Sequence, residues 1–461
     1  MDVVWLIVDS LSYRASSFAP DGPDTTPGLA ELAAERGVVF SNAYAPGPLS
    51  PSSHASMFTG ELPSVTGMHE AHPYFDGDLP LLAERMRESH RTTLLSLNMW
   101  LFQGLDAGFD EAKDFSRQYL LFREATDPVN YFRKHDVEER SLRGLTSFAM
   151  ADGKPVRSLL NYLNCKREGD SLVPDNWGDA ESYQYAGVIN EQIRETLVDD
   201  GAEQFVVANY MDVHPPFDAS DEALERFAPE FDREDLPIGV SPERHLENDE
   251  KSYDVDAMEA LYRAVVWDFD RKLTPLLERL LADDTFVVVT SDHGIWNRDT
   301  AYDENRLHVP LVVFSPEVEA RVVDETVNLR SIPRTIVQAT QGPEAAERFP
   351  GRSLLDVTED EVSVTEVIHH PNDVYERTGR VDVTKSMDAD AAVQRDLVLV
   401  EGDARVDYVA GEWRVVRGDD DETDALREYG EEILDADVEL GDGDLEYDDV
   451  TEQRLEDLGY M

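Results

Sequence analysis

Residues 1–10 read MDVVWLIVDS, and residues 285–294 read TFVVVTSDHG. Each stretch contains an uninterrupted run of apolar, largely β-branched side chains, which is typical of a strand buried on both faces of a parallel sheet. Both runs end in polar residues, namely Asp9 in the first stretch and Asp292 and His293 in the second. Because ligands of open parallel sheets gather beyond the carboxyl ends of the strands, we expect these three side chains to meet at one edge.

A helix and a second strand are predicted directly after the first strand. In TTPGLAELAAERG (residues 25–37), Thr26 is placed to cap the helix, Pro27 suits its first position and Gly37 ends it. The next stretch, VVFSNAYAP, has the pattern of a strand. Strands and helices go on alternating, which predicts an α/β fold with a large mixed, mostly parallel sheet sandwiched between helices.

The pattern divides the chain into two domains. Residues 1–365 are predicted to form the larger domain, with a variable, charged and mostly helical insertion over residues 118–200. In residues 366–461 the apolar runs become short and alternating, as in LVLVEGDARVDYVAGEWRVVRG, which predicts antiparallel hairpins with turns at Gly402 and Gly411. We therefore expect a small C-terminal α+β subdomain built on an antiparallel sheet.

The charge balance is strongly acidic. The chain of 461 residues has 97 acidic and 41 basic residues, a formal net charge of −56, and few lysines. This composition is typical of haloarchaeal proteins and indicates a halophilic one. A nucleic-acid partner is not expected, because nothing in the sequence resembles a basic stripe able to displace counterions from phosphates.

The sequence also gives an expectation for where in the cell the protein is located. Cys165 is the single cysteine, so the chain has no intramolecular disulfide. No basic leader precedes the first strand, and no apolar run approaches the roughly 20 residues that a membrane span needs. We therefore expect a cytoplasmic protein without a membrane span.

The residues at the strand ends indicate a metal site. Asp9, Asp292 and His293 offer carboxylate oxygens and an imidazole nitrogen. This ligand set suits one divalent cation, with Mn²⁺, Mg²⁺, Ca²⁺ and Zn²⁺ all compatible. Such a cation binds an ester oxygen and lowers the pKa of a coordinated hydroxyl.

A source for that hydroxyl lies in AYAPGPLSPSSHASMFTG (residues 43–60), which resembles the sulfatase signature C/S-x-P-S-R-x-x-x-x-T-G and has Ser50 at the nucleophile position. The resemblance to the sulfatase family of the alkaline phosphatase superfamily extends over nearly the whole chain outside the insertion. It is carried by VDSL, TPGLAELAAERGVVFSNAYAP, GLDAGFDEAKDF, MDVHPPF, TSDHG, HVPLVV and RLEDLGYM.

The resemblance implies an alkaline phosphatase-like fold and a catalytic role for the larger domain. It implies that Ser50 joins the metal ligands Asp9, Asp292 and His293. It further implies that His54 holds the nucleophile, and that the ester is contacted, or its leaving group protonated, by His214 and His308. The substrate would be an ester of a small molecule or a glycan.

Three departures from the family pattern leave the chemistry open. Ser10 follows Asp9 where sulfatases carry a second aspartate, so the metal site resembles that of phosphonate monoester hydrolases equally well. Ser52 and His54 replace the proline and arginine that the formylglycine-forming machinery of the family normally recognises, which argues against that modification of Ser50. The lysine that often follows Asp-His-Gly is absent, and the two arginines that offer a positive charge for substrate binding instead are Arg298 and Arg306.

Three functions are therefore compatible with the sequence. The first is hydrolysis of a sulfate ester by Ser50 or by a formylglycine derived from it. The second is hydrolysis of a phosphomonoester or phosphodiester, or transfer of a phospho-group, by unmodified Ser50. The third is an inactive homologue that binds glycans.

The net charge predicts a salt requirement for folding. Repulsion among the acidic residues opposes compaction at low ionic strength, whereas about 1 M salt shortens the Debye length to about 3 Å. The melting temperature should therefore rise steeply between about 0.1 M and multimolar KCl. Thermal melts across that range test this, and a melting temperature independent of salt would contradict it.

Overall fold

The computed structural model describes most of the chain in several segments. The described residues are 1–69, 72–115, 121–122, 125–126, 128, 131, 142–151, 153–168, 185–197, 201–239, 254–295, 302–369 and 393–436. The acidic C-terminal stretch, which includes RLEDLGYM, lies outside them.

Eight strands form the main sheet in the order β4-β3-β5-β1-β6-β7-β2-β8. All neighbouring strands are parallel except for the pairs that β7 makes with β6 and β2. The predicted mixed, mostly parallel sheet is therefore confirmed. The strands are β1 (Val3–Val8), β2 (Gly37–Tyr44), β3 (Arg91–Ser96), β4 (Glu111–Asp114), β5 (Gln204–Tyr210), β6 (Phe286–Thr290), β7 (Leu311–Phe314) and β8 (Arg321–Asn328).

Helices lie between most of these strands and also follow the last of them along the described chain. Three of them, α5 to α7, fall within the predicted helical insertion. The helices are α1 (Pro27–Arg36), α2 (Ser50–Thr59), α3 (Pro63–Thr66), α4 (Leu82–Met86), α5 (Leu142–Met150), α6 (Pro155–Glu168), α7 (Ala186–Thr196), α8 (Asp221–Phe227), α9 (Val255–Ala282), α10 (Glu304–Leu307), α11 (Ile332–Gln341), α12 (Pro343–Ala346) and α13 (Asp420–Asp435). Among the described helices, none combines the length and apolar character that crossing a membrane requires.

The two faces of β1 belong to separate hydrophobic cores. Val4 and Leu6 pack in one core with the apolar face of α9, and Trp5 and Ile7 pack in the other with side chains of α2. Every side chain of β1 is buried, as the uninterrupted apolar run predicts. The central strand is thus fixed from both sides before its chain reaches Asp9.

The cap of α1 differs from the prediction. Thr26 makes no capping bond, because its hydroxyl accepts a hydrogen bond from the backbone amide of Ser17 at 3.0 Å. The cap comes from α9, where the carboxylate of Asp270 accepts hydrogen bonds from the amides of Gly28 and Leu29 at 2.9 and 3.0 Å. The acceptor lies far along the chain, so local sequence could not indicate it.

A second, antiparallel sheet follows in the order β12-β11-β10-β9. Its hairpins turn between β10 and β11 and between β11 and β12, at Gly402 and Gly411 as predicted. It begins at Ser363, three residues before the predicted domain boundary. The strands are β9 (Ser363–His369), β10 (Gln394–Glu401), β11 (Ala404–Val409) and β12 (Glu412–Arg417).

Asp212, a buried carboxylate that follows β5, has contacts that only partly offset the cost of burying its charge. Asp212 accepts a hydrogen bond from the amide of Ala186 at 3.2 Å and lies 3.4 Å from the ammonium of Lys272. Its Oδ2 atom has no hydrogen-bond partner among the described residues. Burial raises the pKa of Asp212 to about 6, although Lys272 and the amide partly oppose the shift.

This pKa predicts a pH-dependent cost to folding. Since an unfolded aspartate has a pKa of about 3.9, the folded state binds the proton more tightly, and stability is lost as pH rises from about 4 through about 6. Asp212→Asn should remove that loss. The stability of the variant relative to the parent should therefore increase between pH 4 and pH 8, by at most roughly 3 kcal/mol.

Denaturant unfolding at fixed multimolar KCl measures the difference, with exposed Glu319→Gln as the control. An equal stability difference at both pH values would show that the carboxylate of Asp212 titrates normally.

Candidate active site

Three side chains at the ends of β1 and β6 form a compact cluster of potential metal ligands. Asp9, Asp292 and His293 each offer one ligand atom, and these atoms all lie within 4.8 Å of one another. Both carboxylates are fully buried and the imidazole nearly so. We call this set the metal-ligand cluster. Its carboxylate oxygens and imidazole nitrogen fit a single divalent cation in chemistry and proximity.

Ser50 lies beside the metal-ligand cluster, as the resemblance implies. Its hydroxyl donates a hydrogen bond to Asp292 Oδ2 at 2.8 Å, and it lies 3.4 Å from both Asp9 Oδ2 and His293 Nε2. Ser50 is the first residue of α2, so the amino end of the helix directs positive potential at its oxygen. The structure thus brings together all four residues predicted to share the cation.

The loop after β1 is held in a conformation unusual for its residue. Ser10 has a φ of +65°, and its carbonyl accepts a hydrogen bond from the hydroxyl of Tyr262 at 2.8 Å. Its amide lies 3.3 Å from Asp292 Oδ1, and its hydroxyl donates to Asp9 Oδ1 at 3.1 Å. Ser10, found where sulfatases carry a second aspartate, therefore bridges the two carboxylates.

The turn after His293 requires a glycine. A Cβ atom on Gly294 would lie 1.8 Å from the carbonyl oxygen of Asn305. The amide of Gly294 instead donates to the carbonyl of Arg306 at 2.7 Å. The glycine of the Asp-His-Gly motif thus lets α10 approach the metal-ligand cluster.

His293 presents one defined nitrogen to the site. Its Nδ1 atom lies 2.8 Å from the carbonyl of Gly294, which fixes the proton there and leaves Nε2 facing Ser50. Burial, and then the positive charge of Arg306, lowers the pKa of His293 to about 3. The ring is therefore neutral near neutral pH, the form in which imidazole binds a metal.

His54 acts on Ser50 through the main chain. Its Nδ1 atom lies 2.8 Å from the carbonyl oxygen of Ser50 and 3.6 Å from Asp292 Oδ2. Its Nε2 atom lies 3.4 Å from the side-chain amide of Asn209. The structure thus places His54 next to the nucleophile, although its contact is with the carbonyl and not with the hydroxyl.

His214 and Arg306 are both near enough to influence His293 electrostatically, and each lowers its pKa. His214 is buried, with Nδ1 2.5 Å from the carbonyl of Pro215. Arg306 is also buried, and its Nε atom donates to the carbonyl of Pro48 at 2.5 Å. Both remain candidates for contacting the ester.

The structure does not bring His308 into the metal-ligand cluster. Its ring stacks between Tyr13 and Tyr44, with centroids 4.1 and 5.0 Å away, and its Nε2 atom lies 2.8 Å from the carbonyl of Ser41. Those contacts make it a packing residue between β2 and the loop after β1. Arg298 lies outside the described residues.

Sequence reasoning missed Asn98, which follows β3. Its Nδ2 atom donates to Asp9 Oδ2 at 2.7 Å and to Ser50 Oγ at 3.1 Å. Its Oδ1 atom accepts a hydrogen bond from the amide of Trp100 at 2.9 Å, which fixes the amide orientation. The same rule that identified Asp9, a polar residue at the carboxyl end of a buried strand, would have identified Asn98.

Comparisons with known proteins agree with this geometry. A family model described as Sulfatase matches residues 1–342. A protein from Formosa agariphila named Sulfatase is 24% identical over 385 residues, which cover 77% of this chain and 72% of that protein.

Solved structures share the fold. The phosphonate monoester hydrolase SpPMH from Silicibacter pomeroyi superposes with a TM-score of 0.62 at 18% identity, over 94% of both chains. Ps i-CgsB, solved in complex with k-i-k-neocarrahexaose, superposes with a TM-score of 0.60 at 15% identity, over 100% of this chain and 97% of that one. At these identities the likeness establishes an alkaline phosphatase-like architecture and leaves the substrate open.

The contacts of Asn98 predict that it positions Ser50 and Asp9. Asn98→Asp keeps an oxygen for the amide of Trp100 but replaces the donor with a second acceptor facing Asp9, whereas Asn98→Ala removes both functions. A hydrogen bond to a charged group is worth about 1.5–3 kcal/mol, so both variants should lose roughly 10- to 100-fold in kcat/KM.

Kinetics on a nitrophenyl ester, together with thermal melts, separate the two functions. The Asp variant should lose activity as the Ala variant does, and without metal it should also be less stable than the parent, because a third carboxylate would adjoin Asp9. If Asn98→Asp kept full activity and only Asn98→Ala lost it, the residue would serve as a helix cap alone.

Proposed function

The chain belongs to the sulfatase family, and on that premise we propose that it is a divalent-metal-dependent hydrolase that cleaves sulfate esters, with Ser50 or a formylglycine derived from it as the nucleophile. The observation that carries the proposal is the position of the Ser50 hydroxyl. It lies within 3.4 Å of atoms from each of Asp9, Asp292 and His293, which offer the ligand set of one cation.

The protein groups account for the main requirements of ester cleavage. A cation held by the metal-ligand cluster would supply Lewis acidity toward the ester and toward the serine hydroxyl, and Mn²⁺, Mg²⁺, Ca²⁺ and Zn²⁺ all suit its donors. Asn98 donates to the serine oxygen, and the amino end of α2 favours negative charge there. These groups lower the cost of forming the alkoxide of Ser50.

With an unmodified Ser50, the reaction would take two displacements, of which the second is the slower because a sulfated serine resists hydrolysis. In the first, the hydroxyl proton of Ser50 leaves along its hydrogen bond to Asp292, the serine oxygen bonds to sulfur, and the bond from sulfur to the leaving oxygen breaks. We assign protonation of the leaving oxygen to His214, which is buried and close enough to His293 to lower its pKa. In the second, water attacks sulfur and gives a proton to His214, the bond from sulfur to the serine oxygen breaks, and Asp292 returns its proton to Ser50 as inorganic sulfate leaves.

A phosphoric ester is the second candidate substrate. His54 replaces the signature arginine, and its ring nitrogens face the Ser50 carbonyl and Asn209, so the described residues offer no arginine at that position. An unmodified serine can attack phosphorus and form a phosphoserine intermediate, which water at the catalytic site then resolves. A sulfated serine resists hydrolysis, so the state of Ser50 bears directly on the choice between the two substrates.

A paired assay in multimolar KCl tests the proposal. Nitrophenyl sulfate, nitrophenyl phosphate and bis-nitrophenyl phosphate are each offered with Mn²⁺, Mg²⁺, Ca²⁺ or Zn²⁺. We expect turnover of the sulfate that chelation abolishes, and a loss of roughly 10³-fold or more in Ser50→Ala, because the nucleophile is removed.

Ser56→Ala is the matched control, because Ser56 lies on the same helix, is buried, and has a hydroxyl without a hydrogen-bond partner in the described structure. Mass spectrometry of the Ser50 peptide accompanies the assay. Preferential turnover of the phosphates with an intact serine would replace the sulfate proposal with the phosphoric ester. No metal-dependent turnover of any ester would contradict both.

A further inference from the structure

Helix α6 turns its polar side toward the protein and its apolar side toward solvent. On the inward side, Ser158 and Asn161 are fully buried and Asn164 is nearly so. On the outward side, four aliphatic side chains follow one another at the spacing of a helical face. We call them the aliphatic stripe. It consists of Val156, Leu159, Leu160 and Leu163, with exposed fractions of 69%, 38%, 39% and 60%.

Specific contacts fix this orientation of α6. The side-chain amide of Asn161 donates to the carbonyl of Phe122 at 2.8 Å, and its oxygen accepts a hydrogen bond from the amide of Phe122 at 2.9 Å. Tyr162 packs against Phe148 of α5, with ring centroids 6.0 Å apart. Rotating the helix to bury its leucines would break these contacts and leave the polar groups of Phe122 without their partner. The outward direction of the stripe is therefore set by the fold.

The aliphatic stripe is a surface for a partner. Single exposed leucines are ordinary in soluble proteins, whereas apolar side chains aligned along one exposed face mark an interaction site. Met150, which ends the neighbouring helix α5, is also 60% exposed. Covering these side chains would remove apolar area from water, which is the main favourable term in association.

Charge indicates the kind of partner. Residues 117–167 include ten basic and six acidic residues, in a chain that has 41 basic and 97 acidic residues. Lys154 precedes the stripe and Arg157 lies within its length, and both are exposed. The stripe thus lies on a segment whose net charge is opposite in sign to that of the whole chain. A partner that is apolar inside and anionic at its surface suits it.

We infer that the aliphatic stripe docks on an anionic lipid surface, with α6 lying in the plane of the membrane interface. Helices with leucines on one face and basic side chains beside them bind in this way, and their apolar side chains reach roughly 5–10 Å into the boundary between headgroups and acyl chains. Lys154 and Arg157 have long stems that let their charges stay among the lipid phosphates. This is attachment to one leaflet, and it is independent of the proposed function.

The net charge of −56 does not prevent this docking in molar salt. At about 1 M salt the Debye length is about 3 Å, so the acidic residues that lie farther than this from the lipid are screened. The charges that still act are those in contact with the headgroups, and beside the stripe these include Lys154 and Arg157. The burial of apolar area does not depend on charge and remains.

A second copy of the chain fits the aliphatic stripe less well. A two-fold contact would place the same helix of both copies together. The segment KPVRSLLNYLNCKRE, which is α6 with the residue before it, has four basic residues and one acidic residue, with basic residues near both ends. Parallel and antiparallel pairing would therefore both oppose like charges at contact distance, where salt screens least.

Vesicle flotation in multimolar KCl tests the inference. The full-length protein is mixed with vesicles of phosphatidylcholine, or of equal parts phosphatidylcholine and phosphatidylglycerol. We expect it to float with both and to bind the anionic vesicles more tightly. Leu160→Gln combined with Leu163→Gln should lower the partition constant roughly 10-fold or more, because two buried leucines are lost. Lys154→Gln should reduce the preference for phosphatidylglycerol.

Val188→Gln is the matched control, because Val188 is an aliphatic residue on α7 with an exposed fraction of 46%. Thermal melts establish that each variant is folded, and sedimentation equilibrium without lipid measures the oligomeric state. Flotation that is lost in the leucine variant and kept in the control would support the inference. No flotation of the parent, or equal flotation of the leucine variant, would overturn it. A dimer that dissociates in the leucine variant, without vesicle binding, would assign the stripe to a second copy instead.

Discussion

The register of the parallel strands at the centre of the sheet determines the site. Ile7 of β1 pairs with Thr290 of β6, and through β5 it lies in the same row as Ser96 of β3. Two residues beyond that row lie Asp9 after β1, Asp292 after β6 and Asn98 after β3. A shift of one residue in any strand would reverse the face to which its side chains point and separate these groups. The buried cores on both sides of β1 hold the register, so packing remote from the chemistry sets the distances between the reacting groups.

That register has an electrostatic cost. It buries the carboxylates of Asp9 and Asp292 side by side, and the contacts described for both come from hydroxyl, amide and imidazole groups. A buried charge without a counter-charge is expensive, and two neighbouring like charges more so. His293 does not compensate them, because burial and the charge of Arg306 keep its imidazole neutral. A divalent cation would relieve this cost, which explains why such an arrangement is tolerated within the core.

Sequence could reveal those parts of the fold and site that depend on local patterns. The uninterrupted apolar runs showed where β1 and β6 lie, and the residues that follow them showed the metal-ligand cluster. The parts it missed depend on contacts between distant residues. The cap of α1 comes from Asp270 on another helix, and the stacking of His308 between Tyr13 and Tyr44 has no counterpart in the order of residues. Asn98 follows a buried strand as Asp9 does, but an amide is not a typical metal ligand, so the search for metal ligands passed over a residue that touches both Asp9 and Ser50.

The C-terminal sheet supports the site through α10. Glu304 at the start of α10 accepts hydrogen bonds from Tyr44, from Arg405 on β11 at 2.7 Å and from Arg417 on β12 at 3.0 Å. Burial alone would raise the pKa of Glu304, but hydrogen bonds and charges from these partners lower it to about 2.

Arg306 lies on the same helix. Its carbonyl accepts a hydrogen bond from the turn after His293, and its guanidinium donates one to the loop before Ser50. Salt screens exposed ion pairs but acts much less on buried ones. The pair of Glu304 with the buried guanidinium of Arg405 is therefore screened less than an exposed pair, so it can join the two sheets and keep Arg306 in place at high ionic strength.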